Sequence, residues 1–403
     1  MTCLLFAALI ALLPAAPAAA SQPDVGPTST AALKTALQRD VNQYLASRAK
    51  IEHLSAISLS VGLKGGSNFV NVTAGRTQFG GGGQPITPDN IFQIGSNTKA
   101  FTAATILQLE AEGKLAIDQT IGRWLPQYPA WKSVTIRQLL SMTSGIPTYD
   151  DNPQMLADYA KNPKRWFKIP ELIAYVYPSN PKAPKPTTGY SYSNTNYLLA
   201  ELIIEAAAHD SFSNQLNKRF LQGGLGLHDT FYAPHQYPPE VLARLPAGYF
   251  VNTDPDNKPL FPLLGTNVSL DSLSWMQGAG GISSTMQDLA RWVRELYTGP
   301  MLAPKQRAEM ESLVSTKTGK PLAAVSADDP RGFGLGVAKM IAPGIGPIWF
   351  YEGESLGFRT VHFYLDKEDT VVTFSFNSRP AAKDDGAGKL AGTVYKTLKN
   401  AGF

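Results

Sequence analysis

Strand-like stretches stand at both ends of this chain and helix-like stretches fill its middle, an order that few folds can accommodate. Near the start, residues 56–63 and 68–74 read as two strands, and Lys64-Gly65-Gly66-Ser67 between them reads as a hairpin turn. Near the end, residues 334–339, 348–351, 360–365 and 370–377 read as strands, with a closing helix over 386–399. An amphipathic helix is expected over 31–48, and the middle offers helices at 97–112, 136–142, 169–177, 197–208 and 286–297. Strands from the two termini must pair with each other to bury their faces. The pattern therefore predicts an α+β fold, with an antiparallel sheet built from both termini and flanked by helices. Residues 21–94 and 300–403 would form the discontinuous sheet lobe, and 95–299 an inserted, mostly helical lobe. Together they make one catalytic unit over 30–400, with its site in the crevice between lobes.

The most reactive-looking stretch lies where the first strands give way to helix. Phe92-Gln93-Ile94 is a short apolar run into a helix start, followed by Gly95, Ser96 and then Lys99. Positions i and i+3 share a helix face, so the Ser96 hydroxyl and the Lys99 amine can meet. Serine is a weak nucleophile until a base takes its proton, and a lysine among cationic or apolar neighbours can be that base. The free N–H groups of a helix start suit a developing oxyanion. Ser-x-x-Lys alone has little specificity, since it recurs at Ser47/Lys50 and Ser179/Lys182. Ser47 sits in a charged helical stretch and Ser179 in a proline-rich loop that cannot be helical. Only Ser96 leads into a credible helix, stopped by Gly113.

Composition excludes several other chemistries. The first twenty residues are an apolar run closed by Ala18-Ala19-Ala20, which fits a signal peptide over 1–20 and export to a bacterial periplasm or the cell exterior. The apolar run is too short for a stable membrane span, which takes about 20 residues. Cys3, the only cysteine, would leave with that segment, removing disulfides, thiol catalysis and thiolate metal sites. A net charge of +4, with basic residues spread out, gives no support to nucleic-acid binding. The five histidines have no metal spacing, and no cofactor is implied.

Ser96-x-x-Lys99 does not stand alone. After it come LLSMTSG at 139–145, Tyr190-Ser191-Tyr192-Ser193-Asn194, AGGISST at 279–285 and GFGLG at 332–336. This ordered set, running from about 57 to 376, resembles the β-lactamase-related serine hydrolases. That group holds class C β-lactamases, D-alanyl-D-alanine carboxypeptidases of the penicillin-binding type, and similar esterases. The resemblance implies a β-lactamase/transpeptidase-like fold, with Ser96 as nucleophile and Lys99 and Tyr192 jointly as base and proton shuttle. It also implies that Asn194 hydrogen-bonds the substrate amide or Lys99.

The chain departs from that family at the third motif, which is usually Lys-Thr-Gly or His-x-Gly on a strand beside the cleft. The literal Lys317-Thr318-Gly319 precedes the 332–336 block instead of following it, in a polar loop. The positional match is Tyr351-Glu352-Gly353-Glu354, with Tyr351 in place of the cation. By analogy the oxyanion hole is the backbone N–H groups of Ser96 and Glu354. Arg359 is a substitute cation if it faces the cleft, or a surface partner for Glu352 or Glu354. Gly353-Glu-Ser355-Leu-Gly357 matches G-x-S-x-G, but a strand rather than a helix follows it. Tyr149, Asp150, Trp275 and Gln277 are further pocket candidates.

These features imply an exported enzyme acting through a Ser96 acyl-enzyme on a small molecule or a peptidoglycan peptide, with β-lactams as possible ligands. D-Alanyl-D-alanine carboxypeptidase-like amide hydrolysis comes first. A carboxylesterase on the same scaffold is favoured by the missing cation, and a class C-type β-lactamase is a third outcome. A non-enzymatic binding module would have lost its serine, whereas Ser96, Lys99, Tyr192 and Asn194 are all present.

Overall fold

The structure, a computed structural model, describes residues 30–65, 68–177 and 185–403. The apolar segment at 1–20, half of the 64–67 turn and the Ser179/Lys182 pair lie outside those residues. Helix α1 spans Thr30–Glu52 and leads into β1 (Ala56–Gly62) and β2 (Phe69–Gly75). The central helices that matter for the site are α2 (Thr98–Ala111), α3 (Thr195–Ala208) and α4 (Met286–Thr298). Seven strands follow: β3 (Leu313–Ser315), β4 (Pro321–Leu322), β5 (Arg331–Phe333), β6 (Ala338–Ala342), β7 (Gly346–Glu354), β8 (Arg359–Leu365) and β9 (Thr370–Phe376). Helix α5 (Ala387–Asn400) closes the chain.

All nine strands join one antiparallel sheet in the order β2-β1-β9-β8-β7-β6-β5-β3-β4. The two chain ends meet at β1 and β9, where Ile57 pairs with Phe376 and Val61 with Val372. Helices α1 and α5 pack on each other and on one face of the sheet, over a core that includes Leu37, Val41, Phe350, Phe363, Phe374 and Leu390. The other face meets α4 and the helical elements, where Phe101 of α2 stacks on Trp292 of α4 at 3.7 Å between ring centres. With both faces covered, β1, β8 and β9 are buried along their whole length, and they still alternate. Ile57, Leu59, Val61, Val361, Phe363, Val372, Phe374 and Phe376 join the core under α1 and α5, while Ser58, Ser60, Thr360, His362, Thr373 and Ser375 turn to the other face. No helix among the described residues is long and apolar enough to cross a membrane.

Two assignments differ from the sequence reading. Helix α4, expected within the helical lobe, lies across β1 and β9. Its buried Leu289, Trp292, Val293 and Leu296 recur at helical spacing, a pattern that sets which face is buried but not what it is buried against. Residues 334–339 are not one strand: Gly334 N–H donates to Val337 O at 2.8 Å, closing a hairpin between β5 and β6. At its tip Gly336 has φ +77°, and a Cβ there would come within 2.8 Å of Lys99 O, so glycine lets this hairpin rest on the start of α2.

On the α1/α5 side the sheet carries a buried ionic cluster. Arg359 is fully buried; its guanidinium donates to Glu52 at 2.5 Å, to Ser378 O at 2.9 Å and to Asp385. Arg359 is therefore neither a cleft cation nor a surface partner of Glu352 or Glu354. The strand alternation that puts Thr360 and His362 toward α2 turns Arg359 the opposite way. Arg359→Met would leave the buried Asp385 without its cation and Glu52 with Arg48 alone, and should cost roughly 3–5 kcal/mol in urea unfolding. Adding Glu52→Gln and Asp385→Asn should recover most of it; equal stability of Arg359→Met and the parent would show that the cluster is not a charge pair.

Candidate active site

Ser96 lies in a 3-10 turn, Gly95–Asn97, that runs directly into α2. Asn97 fastens this turn to the sheet: its Nδ2 donates to Ile94 O at 2.8 Å and to Thr360 O at 3.0 Å. Both amide hydrogens are thus used, so Asn97 Oδ1 is an acceptor and His362 Nδ1, 2.7 Å away, must carry the hydrogen. Complete burial lowers the His362 pKa to about 3, keeping the ring neutral in that role.

One helical turn on, Lys99 is buried with its Nζ 2.9 Å from Ser96 Oγ and 2.7 Å from Ala279 O. The same amine sits 5.1 Å from the centre of the Tyr192 ring and 5.5 Å from that of Tyr197. The Tyr192 hydroxyl donates to Ser96 Oγ at 3.0 Å and lies 3.3 Å from the Tyr351 hydroxyl. The structure therefore brings Ser96, Lys99, Tyr192 and Tyr351 to one point. Tyr192 is held there by the LLSMTSG loop. Met142, at φ +61°, accepts Ser191 N–H on its carbonyl at 2.9 Å, and Tyr197 of α3 donates to Leu140 O at 2.8 Å.

Gly353 and Glu354 approach Ser96 from β7. A Cβ at Gly353 would fall 2.1 Å from Ile94 O and 2.7 Å from Ser96 N. Gly95, at φ +50°, is equally tight: its Cβ would fall 2.5 Å from Glu354 N. Two glycines thus let the backbone of β7 lie directly against the serine turn. Along β7, Tyr351 and Gly353 face the serine while Glu352 and Glu354 face the ionic cluster. There Glu354 accepts from Arg379 Nε at 2.9 Å, and Glu352 is held well above the ordinary carboxyl range by burial and by the nearby Asp385 and Glu354. Glu352, Glu354 and Asp385 are the one acidic group among the described residues spaced closely enough to hold a metal ion. Arg379 and Arg359 already bind two of them, and burial favours the neutral form of Glu352, so neutralisation is met locally.

The remaining pocket candidates separate. Asn194 Nδ2 donates to Asp150 Oδ2 at 2.7 Å, and its backbone N–H to Thr148 Oγ1 at 2.9 Å; sequence reasoning had aimed it at substrate or lysine. Tyr149, expected against the substrate, is fully buried in the helical core and donates its hydroxyl to Trp275 O. Burial pushes its phenol well above the usual range. Trp275 is also core, and Gln277 anchors a turn by donating to Phe167 O at 3.0 Å and Ser274 O at 2.7 Å. Lys317-Thr318-Gly319 is the turn between β3 and β4, with the lysine bound to Asp328 O. Gly353-Glu-Ser355-Leu-Gly357 is the β7–β8 turn, not a strand-to-helix elbow. Sequence reasoning missed two supporting residues, His362 and Glu201; a buried acid inside an apolar helix was the available signal for the second.

A family model described as Beta-lactamase matches residues 48–393 of this chain. Penicillin-binding protein 4* of Bacillus subtilis (strain 168) is 27% identical over 296 residues, 72% of this chain. The chain spans 62% of that relative's length. Among solved structures, the D-amino acid amidase from Ochrobactrum anthropi SV3 complexed with L-phenylalanine amide has a TM-score of 0.73 at 22% identity, over 92% of this chain and 99% of that one. The D-alanine carboxypeptidase AmpC from Burkholderia cenocepacia has a TM-score of 0.67 at 17% identity, over 92% and 100%. At those identities the likeness shows a shared fold.

Two expectations follow from the geometry. Gly353→Ala should cut turnover by a factor on the order of 100 while the protein stays folded by circular dichroism, because the new methyl must push β7 off the serine turn; full turnover would mean β7 is no part of the site. The unfolded His362 ring protonates below about pH 6.5 while the folded ring stays neutral, so stability from this group falls as pH drops from about 6.5 toward 3. His362→Asn keeps a donor toward Asn97. Its unfolding free energy relative to the parent should improve by roughly 1.4 kcal/mol per pH unit over that window; parallel curves would refute the assignment.

Proposed function

This chain belongs to the beta-lactamase family, whose members are serine hydrolases, and we propose that it hydrolyses small amide or ester substrates through a Ser96 acyl-enzyme. The observation that carries this reading is the convergence on Ser96 Oγ of Lys99 Nζ at 2.9 Å and the Tyr192 hydroxyl at 3.0 Å. Lys99 and Tyr192 together take the proton of Ser96 as Oγ attacks the carbonyl, and Tyr192 returns it to the leaving group. The backbone N–H groups of Ser96 and Glu354 receive the oxyanion, each worth about 3–4 kcal/mol to the transition state. Water, activated by the same pair, then releases the acyl group and restores the serine.

Substrate class follows from the third motif. A leaving group that bears a carboxylate calls for a cation beside the cleft, and here that position holds the Tyr351 phenol while Arg359 is bound to Glu52 and Asp385. A neutral leaving group, as in an amino acid amide or a simple ester, fits this arrangement best. The D-amino acid amidase likeness points the same way. The second reading is D-alanyl-D-alanine carboxypeptidase-like cleavage of peptidoglycan peptides, which draws on the penicillin-binding relatives and would make β-lactams ligands of Ser96. Export belongs to the proposal as well, resting on the apolar segment and Ala18-Ala19-Ala20.

Time-resolved intact mass with penicillin G, alongside hydrolysis of p-nitrophenyl acetate, D-phenylalanine amide and a D-alanyl-D-alanine peptide, tests this directly. Turnover of ester or amide that is lost in Ser96→Ala is the expected result. A lasting penicillin adduct on Ser96 with peptide cleavage would establish the carboxypeptidase reading instead. Consumption of the drug with a vanishing adduct would make the protein a β-lactamase, and turnover surviving Ser96→Ala would overturn the choice of nucleophile.

A further inference from the structure

Lys99 Nζ has a second partner besides the serine, the carbonyl of Ala279 at 2.7 Å, and that carbonyl belongs to an unusual turn. Residues Gln277–Ala279 form a short 3-10 turn whose first residue, Gln277, is a non-glycine residue at φ +37°. Such a backbone is strained and persists only where its surroundings hold it. The Gln277 side chain is tied to Phe167 O and Ser274 O, and Gly278 O accepts from Thr102 Oγ1 of α2 at 2.7 Å. From the opposite side, Glu201 of α3 accepts the Gly278 N–H on Oε2 at 2.6 Å and the Tyr232 hydroxyl on Oε1 at 3.0 Å. Gly278 has no room for a side chain, since a Cβ would fall 2.8 Å from Glu201 Oε2.

We propose that Glu201 is a positioning residue that clamps the 277–279 turn and thereby sets the Ala279 carbonyl under the Lys99 amine. A carboxyl deep in an apolar helix is costly to bury, and its two partners account for both of its oxygens. Gly278 then has its own N–H held by α3 and its own carbonyl held by α2, so the peptide planes on both sides of it are fixed and the next carbonyl, that of Ala279, is left a single direction. Burial, with Glu205 adding to it, raises the Glu201 pKa to about 8. In the neutral acid Oε2 still accepts the Gly278 N–H, while the proton sits on Oε1 and the 3.0 Å bond to Tyr232 runs the other way, carboxyl O–H to phenol oxygen. Glutamine has the same shape and the same pair of functions. Leucine has the volume and neither function.

This inference rests on the reading of Lys99 as part of the base, and the experiment separates the two. Burst kinetics with p-nitrophenyl acetate give the acylation rate and KM for the parent, Lys99→Ala, Glu201→Leu, Glu201→Gln and Gly278→Ala. Glu201→Leu is expected to acylate at least tenfold more slowly at unchanged KM, with Glu201→Gln restoring the rate to within about threefold. Gly278→Ala, whose methyl would press on Glu201 and on Tyr197 O while leaving every side chain of α3 in place, should show the same loss and covers the case in which Glu201→Leu does not fold. Parental rates in Glu201→Leu or, where that variant does not fold, in Gly278→Ala would overturn the clamp while leaving Lys99 in place. A slow Glu201→Gln alongside a slow Glu201→Leu would also overturn it. Full acylation by Lys99→Ala, or none by the parent, would instead sink the reading on which the inference stands.

Discussion

The site depends first on the contact between two backbones, the serine turn at Gly95–Asn97 and the end of β7 at Gly353–Glu354. Neither surface tolerates a Cβ, because each methyl would lie within 2.7 Å of a backbone atom across the gap. Hydrogen bonds from Asn97 to Ile94 O and Thr360 O then lock the turn to the sheet, and neutral His362 holds Asn97 from below. A serine fixed this way has little freedom to move away from the donors around it, which is what electrostatic preorganisation would require of the proposed nucleophile. The rest of the molecule supports that contact. The sheet supplies β7, and α2 begins where the turn ends.

The functional groups reach Ser96 from separate parts of the chain, and each comes with its own support. Tyr192 rests on the LLSMTSG loop through Met142 and is followed at once by α3. Lys99 is held between the serine and the Ala279 carbonyl, and that carbonyl sits on a turn braced by α2 and α3. The sequence blocks at 139–145, 190–194 and 279–285 therefore share a physical purpose: each shapes a loop that fixes one group against the start of α2. The 332–336 block does the same through Gly336, which lets the β5–β6 hairpin touch Lys99 O.

Charge is distributed by the alternation of β7. Its serine-facing positions are Tyr351 and Gly353, uncharged, and its opposite face carries Glu352 and Glu354 among Arg359, Arg379, Glu52 and Asp385. A strand one residue out of register would bring the carboxylates to the serine and the tyrosine to the ionic cluster. The burial of Arg359 in that cluster is what shifts the balance between readings of the substrate. Arg359 on the adjoining strand points away from the position of Tyr351, and the proposal of a leaving group without charge rests on that.

By itself the sequence determined the α+β order of strands at both ends with helices between, the pairing of both termini in one antiparallel sheet, and the approximate place of β7 to β9, though not the strands β3 to β5. It did so because apolar periodicity and turn residues are local signals that survive in any context. It also singled out Ser96, Lys99 and Tyr192, since a helix start with serine and lysine three apart, followed by blocks in a set order, is a one-dimensional pattern. What it left open was direction. Arg359 could point to either face of β8, Tyr149 could line the cleft or fill the core, and Asn194 could reach lysine, substrate or a carboxylate. Only the tertiary structure decided these, by placing Glu52 and Asp385 behind the sheet, Trp275 O beside Tyr149 and Asp150 beside Asn194. The partners lie as far as 307 residues away in the chain. Periodicity tells which side of an element is buried, while the identity of the neighbour on that side is a property of packing.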